Sequence, residues 1–158
     1  MNSALISIAS KNSKPTHQQT HVQRTLNEQG LKTVLCSKIS PIYELQGAFS
    51  AREIETVAQE LLCDRVVETY GVNAKAQDKK TVFLDVWCKP GVTDPAGDSV
   101  LKAVRDLGIA SVQKVSTGTR YELQLKSKTA LPPRQARQKI IDFANQQLLN
   151  PLVQECKL

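Results

Sequence analysis

Tyr43-Glu44-Leu45-Gln46 returns 78 residues later as Tyr121-Glu122-Leu123-Gln124. At the same offset Gly30-Leu31 falls on Gly108-Ile109, Val34 on Val112, Leu26 on Val104, Val22 on Val100, Ile8 on Val86 and Lys11 on Lys89. Apolar residues fall on apolar residues and glycine on glycine. A fixed period of this kind means one structural unit used twice. The repeats span residues 1–73 and 81–158, and the polar, charged segment 74–80 joins them.

Each repeat reads as strand, helix, strand, strand, helix, strand. In the first, Leu5 to Ala9 is a strand, and Val22 and Leu26 lie one helical step apart before a closing Gly30. Thr33 to Cys36 and Ile42 to Gln46 follow as strands. Ser50 and Glu53 make a capping box, with Phe49 and Ile54 as its apolar staple. Ile54, Val57, Ala58 and Leu61 then form the buried face of that helix, and Val66 to Val72 is the closing strand.

The second repeat places Val82, Leu84, Val86 and Cys88 on one strand face, with Phe83 and Trp87 on the other. A strand apolar on both faces is covered on both, here by the other copy or by another chain. Lys89-Pro90-Gly91-Val92 is a turn. Asp94 caps the next helix with Pro95 at its first position, and Gly108 ends it. Val112 to Val115 is a strand, Gly118 a hairpin turn, and Tyr121 to Lys126 the returning strand. Ala136, Ile140, Ala144 and Leu148 face inward from the second helix, which an insertion over about Ser127 to Pro133 delays. Leu152 to Leu158 is the last strand. These elements predict an α+β fold: two tandem two-layer units, antiparallel sheets with helices on one face, packed as a pseudo-dimer.

The composition narrows the chemistry. The net charge is +6, and the only stretch dense in basic residues is Lys126, Lys128, Arg134, Arg137 and Lys139. It contains no aromatic residue to stack on a base, so nucleic acid is a poor fit. No run approaches the roughly 20 apolar residues of a membrane span. The start of the chain does not read as a secretion signal, so a cytoplasmic protein is expected. The four cysteines, Cys36, Cys63, Cys88 and Cys156, lack metal-ligand spacing and read as reduced thiols. His17 and His21 could share a helix face, yet no third ligand lies near them. Neither a phosphate loop nor a dinucleotide fingerprint occurs. No residue is assigned a catalytic, cofactor-binding or metal-binding role.

The second repeat resembles the PurS subunit of phosphoribosylformylglycinamidine synthase. The residues that carry this are Cys88-Lys89-Pro90-Gly91-Val92, Asp94-Pro95-Ala96-Gly97, Leu107-Gly108, Tyr121-Glu122-Leu123 and Leu149-Asn150-Pro151-Leu152-Val153. The first repeat keeps Tyr43-Glu44-Leu45 and has Leu61-Leu62-Cys63-Asp64-Arg65-Val66-Val67 in place of the tail, but lacks the Pro-Gly-Val turn. The resemblance implies a non-catalytic subunit that docks a glutaminase subunit onto a large ATP-dependent synthetase subunit, as a fused dimer. ATP, magnesium and glutamine would be used by the partners. Lys89, Pro90, Gly91, Asp94, Gly97 and Arg120 are the expected partner-binding residues, with Lys89 and Arg120 offering charge from neighbouring turns. Further self-association stays open. Two other readings are a small-molecule-sensing module of paired α+β domains and a basic nucleic-acid-binding module.

Overall fold

The computed structural model describes residues 1–126 and 133–158, with Pro133 described in its backbone. The inserted segment Ser127 to Pro133 and Lys128 of the basic cluster therefore lie outside the described side chains. The elements are β1 (Asn2–Ser10), α1 (His17–Glu28), β2 (Val34–Gly47), α2 (Ala51–Thr56), β3 (Glu68–Val72), β4 (Thr81–Cys88), α3 (Pro95–Asp106), β5 (Val112–Leu125), α4 (Pro133–Phe143) and β6 (Gln154–Lys157). The fold is α+β. The strands hydrogen-bond in one series, β3-β1-β2-β5-β4-β6.

The expected hairpins are absent. β2 and β5 are each one uninterrupted strand of 14 residues. Gly118 does not adopt the left-handed conformation that Gly30, Gly91 and Gly108 do. β2 and β5 are hydrogen-bonded neighbours, and both stay extended through the polar positions that look like a turn in sequence. Ala48 N donates to Ser111 O at one end (3.0 Å), and Lys126 N to Thr33 O at the other (2.8 Å). The second bond is the first with each residue replaced by its counterpart 78 positions away.

Two compact units emerge, each drawing on both sides of segment 74–80. The first comprises residues 1–13, 40–75 and 90–118, the second 14–39, 76–89 and 119–158. In the first unit β1 pairs antiparallel with β2 from Asn2↔Gly47 to Ser7↔Ile42, and with β3 from Ile6↔Val72 to Ser10↔Glu68. Pro41, which has no N–H for a ladder, sits just past the end of the β1–β2 register. The core joins Ala4, Ile6 and Ile8 of β1 to Ile54, Val57 and Ala58 of the second helix. Val104 of α3 and Val112 of β5 complete it from beyond the linker. In the second unit β4 pairs antiparallel with β6, from Asp85↔Lys157 to Cys88↔Gln154. Its core joins Val22 and Leu26 of α1 to Leu84, Val86, Tyr121, Leu123 and Ile140. Helix α1 thus packs with strands and a helix of residues 81–158, and α3 packs with strands and a helix of residues 1–73.

Local sequence explains the helix ends. The Ser50–Glu53 capping box is present, and Phe49 and Ile54 both enter the first core. Thr16 and Gln19 form a second capping box at α1. Gly30 and Gly108, at φ +80° and +84°, close α1 and α3 after equivalent bonds, Gly30 N to Asn27 O and Gly108 N to Arg105 O. Both second helices loosen into π turns, Val57–Leu62 and Ala144–Leu148, ending in the five-residue bonds Cys63 N to Ala58 O and Leu149 N to Ala144 O. Here the spacing between counterparts has grown from 78 to 86 residues, partly between β5 and α4 and partly in α4 itself, which has 11 residues against 6 in α2.

All four cysteines are free, with Cys36 and Cys63 buried. Burial, aided by the Glu122 carboxylate, pushes the Cys36 thiol up to about 11.

Because each core needs α1 or α3 from the far side of the linker, neither half of the chain is self-sufficient. Residues 1–75 and 76–158 expressed separately should fold only by associating, a second copy supplying the missing helix, so melting by circular dichroism should depend on concentration. A cooperative, concentration-independent transition in a fragment that sediments as a monomer would contradict the reciprocal packing.

Candidate partner-binding surface

The six residues expected to meet a partner fall into both units. Pro90, Gly91, Asp94 and Gly97 belong to the first, Lys89 and Arg120 to the second.

In the first unit Gly91 turns with φ +85° and Pro90 is exposed. Asp94 caps α3 and also binds β5. One carboxylate oxygen accepts from Gly97 N (2.9 Å) and Thr117 Oγ1 (2.9 Å), and the other from Thr117 N (2.6 Å). That contact draws the helix start so close to the strand that a Cβ on Gly97 would stand 2.5 Å from Val115 O. Glu53 makes a comparable tie from α2. It accepts from Ser50 N, the Ser111 hydroxyl and the Ser50 hydroxyl, which hold its carboxyl below the usual range.

In the second unit both expected cations are engaged. The Lys89 ammonium donates to Pro151 O, and Lys89 N donates to Val153 O (2.9 Å). Lys11 does the same in the first unit, through Arg65 O (2.7 Å) and Val67 O (2.9 Å). Arg120 lies in a strand rather than a turn. Its guanidinium forms a two-pronged pair with Asp85, at 2.7 Å for each bond. The side chains are only 8% and 14% exposed, and the guanidinium carbon sits 4.2 Å from the centre of the Phe83 ring. Strand alternation puts Phe83, Asp85 and Trp87 opposite Leu84 and Val86, which enter the core. Phe83 is therefore covered in part by Arg120, a residue of its own repeat, and Trp87 is half-buried.

His17 and His21 are exposed on α1 and line a hollow of about 240 Å³ with Thr20 and Arg24. The hollow is lined by no carboxylate, and the Arg24 guanidinium beside the imidazoles is paired with Glu28 at 3.8 Å. A second hollow, about 360 Å³, lies between α1 and the Leu35–Cys36 stretch of β2. Gln23 fills the role of a strand neighbour there, donating to Val34 O (3.1 Å) and accepting from Cys36 N (2.8 Å). No group of three or more His, Cys, Asp or Glu side chains able to hold a metal occurs among the described residues. Arg134, Arg137 and Lys139 of the basic cluster are exposed on α4. No helix of the described residues is long and apolar enough to cross a membrane.

A sequence model of a known family, PurS: Phosphoribosylformylglycinamidine (FGAM) synthase, matches residues 81–158. The chain is also 34% identical over 74 residues to the phosphoribosylformylglycinamidine synthase subunit PurS of Archaeoglobus fulgidus, covering 47% of this chain and 86% of that protein. The chain belongs to the PurS family. The matched PurS region begins at β4, includes α3, β5, α4 and β6, and holds all six expected residues. It excludes α1, whose apolar face completes the second core.

What sequence reasoning missed is exposure at two turns. Val66-Val67 and Leu152-Val153 read as the first residues of strands. Instead they lie ahead of β3 and β6, with Val66 82% and Leu152 84% exposed. An apolar pair looks the same in a strand as at a turn. The preceding Asp64 and Asn150, residues that favour local turns, were the available signal.

Two substitutions test this geometry. Gly97→Ala should cost about 1–3 kcal/mol by forcing α3 off β5. Melting at or above the wild-type temperature would contradict the close approach. Arg120→Ala strands a buried carboxylate and should cost about 3–5 kcal/mol, whereas replacing Arg120 and Asp85 together with Met and Leu should recover most of the loss. Denaturant unfolding measures both, and an additive loss in the double variant would refute the pairing.

Proposed function

We propose that this chain is a non-catalytic subunit of phosphoribosylformylglycinamidine synthase made of two PurS-like copies, a dimer fused into one polypeptide. The match of residues 81–158 to the PurS family carries the reading. The repeated bonds support the first copy. Thr16 and Asp94 cap equivalent helices, and Lys11 and Lys89 hold equivalent turns. The Ala48–Ser111 bond recurs as Lys126–Thr33 with the copies exchanged, as in a self-complementary interface.

In this role the chain supplies surface in the cytoplasm to two larger subunits in purine biosynthesis. One is a glutaminase that releases ammonia. The other is a synthetase that uses ATP, magnesium and that ammonia to make the amidine. The chain holds none of those ligands itself. Its contribution is rigid geometry: buried pairs such as Asp85–Arg120 and close contacts such as Gly97 against Val115 fix the shape it presents.

Mixing the purified chain with glutaminase and synthetase subunits, with glutamine and nucleotide present, should give a ternary complex by sedimentation. Glutamine-dependent amidine formation should fall at least tenfold when the chain is omitted. Undiminished glutamine-dependent turnover without it would reject this function.

A further inference from the structure

Four of the most exposed aliphatic side chains sit on two turns of one design. In the second unit Asn150 Oδ1 accepts from Leu152 N (3.1 Å), and Gln154 Oε1 accepts from Asn150 N (2.9 Å). Backbone bonds from Val153 N and Gln154 N to Asn150 O, at 3.1 and 2.8 Å, close the turn. Lys89 clamps it through Pro151 O and Val153 O. The first unit repeats each of these bonds with Asp64, Val66, Val67, Glu68 and Lys11. Such a network fixes the backbone and leaves one aliphatic side chain of each turn in solvent, Leu152 at 84% exposure and Val66 at 82%, with Val153 and Val67 at 40% and 54%. A turn held this way needs no aliphatic residue at its tip.

The turns share a shape but not a charge. Asp64 and Glu68 set two carboxylates beside Val66 and offset the cations of Lys11 and Arg65. Their counterparts Asn150 and Gln154 are neutral, so Lys89 dominates around Leu152. The acid nearest in sequence, Glu155, faces Lys157 at 3.5 Å.

We propose that Leu152-Val153 is a docking prong that enters an apolar socket on another subunit of the synthase, with carboxylates of that subunit at the socket rim near Lys89. This rests on the reading of the chain as a PurS-like subunit. Buried apolar anchors within a polar rim carry most of the energy of a protein interface, and the basic rim selects an acidic counterpart. The first turn is excluded from the same socket because its own carboxylates would face those of the rim.

The test is binding of the intact chain to the glutaminase and synthetase subunits by calorimetry at low and high salt. Leu152→Ser with Val153→Ser should weaken binding at least tenfold. Its melting temperature should fall only slightly, since Leu152 is 84% and Val153 40% exposed and the turn is held by their backbone atoms. Val66→Ser with Val67→Ser removes similar surface and should change affinity less than twofold. Asn150→Asp with Gln154→Glu gives the second turn the two carboxylates of the first while preserving its acceptors. It should weaken binding about tenfold at low salt, with the loss shrinking at high salt. Wild-type affinity in the Leu152/Val153 variant, or equal loss in the Val66/Val67 variant, would overturn the assignment. An Asn150/Gln154 variant of unchanged affinity would overturn the acidic rim. Loss of flotation with anionic phosphatidylserine vesicles, without loss of subunit binding, would make the prong a membrane contact instead. If the wild-type chain binds neither subunit, the PurS-like role itself fails, and the prong falls with it.

Discussion

The pairing of β2 with β5 is the contact on which the rest of the molecule depends. Each strand is 14 residues long, and each contributes one part to the first compact unit and the other to the second. With those strands in register, α1 is delivered to a core built by β4, β5 and α4, and α3 to a core built by β1, β2 and α2. The apolar face of α1, Val22 and Leu26, is completely covered there. Left beside its own repeat alone, that face would lack Leu84, Leu123 and Ile140. Burying a side chain of leucine size is worth about 1.5–3 kcal/mol. Losing several such contacts is comparable with the whole stability of a small domain, about 5–15 kcal/mol.

Much of the local structure was legible because its causes are local. A capping box needs Ser50 and Glu53 three residues apart, and both do what that spacing demands. Gly30, Gly91 and Gly108 adopt the conformation that favours glycine. The inward face of α4 follows from spacing alone, down to Ala136, Ile140 and Ala144. The errors came where the cause is distant. Ser40-Pro41 and Gly118-Thr119 carry turn chemistry, yet a partner strand along the whole length keeps both chains extended. The helical stripe of α1 reports that one face is buried but not which sheet buries it. Nor does a valine pair before a strand reveal that a lysine and two side-chain caps have folded it into a turn.

The expected surface was legible as chemistry, and the structure adds an internal role for each of its charged members. Asp94 and Gly97 were singled out, and both proved to lock α3 against β5 through Thr117 and Val115. Lys89 and Arg120 suggested free charge. Arg120 is committed to the Asp85 carboxylate and Lys89 gives one ammonium hydrogen to Pro151 O, which only neighbours distant in sequence could reveal. Charged groups inside the fold fix turns and sheet faces, while aliphatic residues at turn tips are left to solvent.

A double-mutant cycle on Leu26 of α1 and Ile140 of α4 tests the reciprocal packing most directly, with Ile54 of α2 as the contrasting partner. Leu26 and Ile140 share the second core, whereas Ile54 belongs to the first. Unfolding free energies should show a coupling of about 0.5–3 kcal/mol between Leu26→Ala and Ile140→Ala, and additivity between Leu26→Ala and Ile54→Ala to within about 0.5 kcal/mol. Coupling of Leu26 to Ile54, with none to Ile140, would mean that α1 packs within its own repeat and would contradict the structure described above.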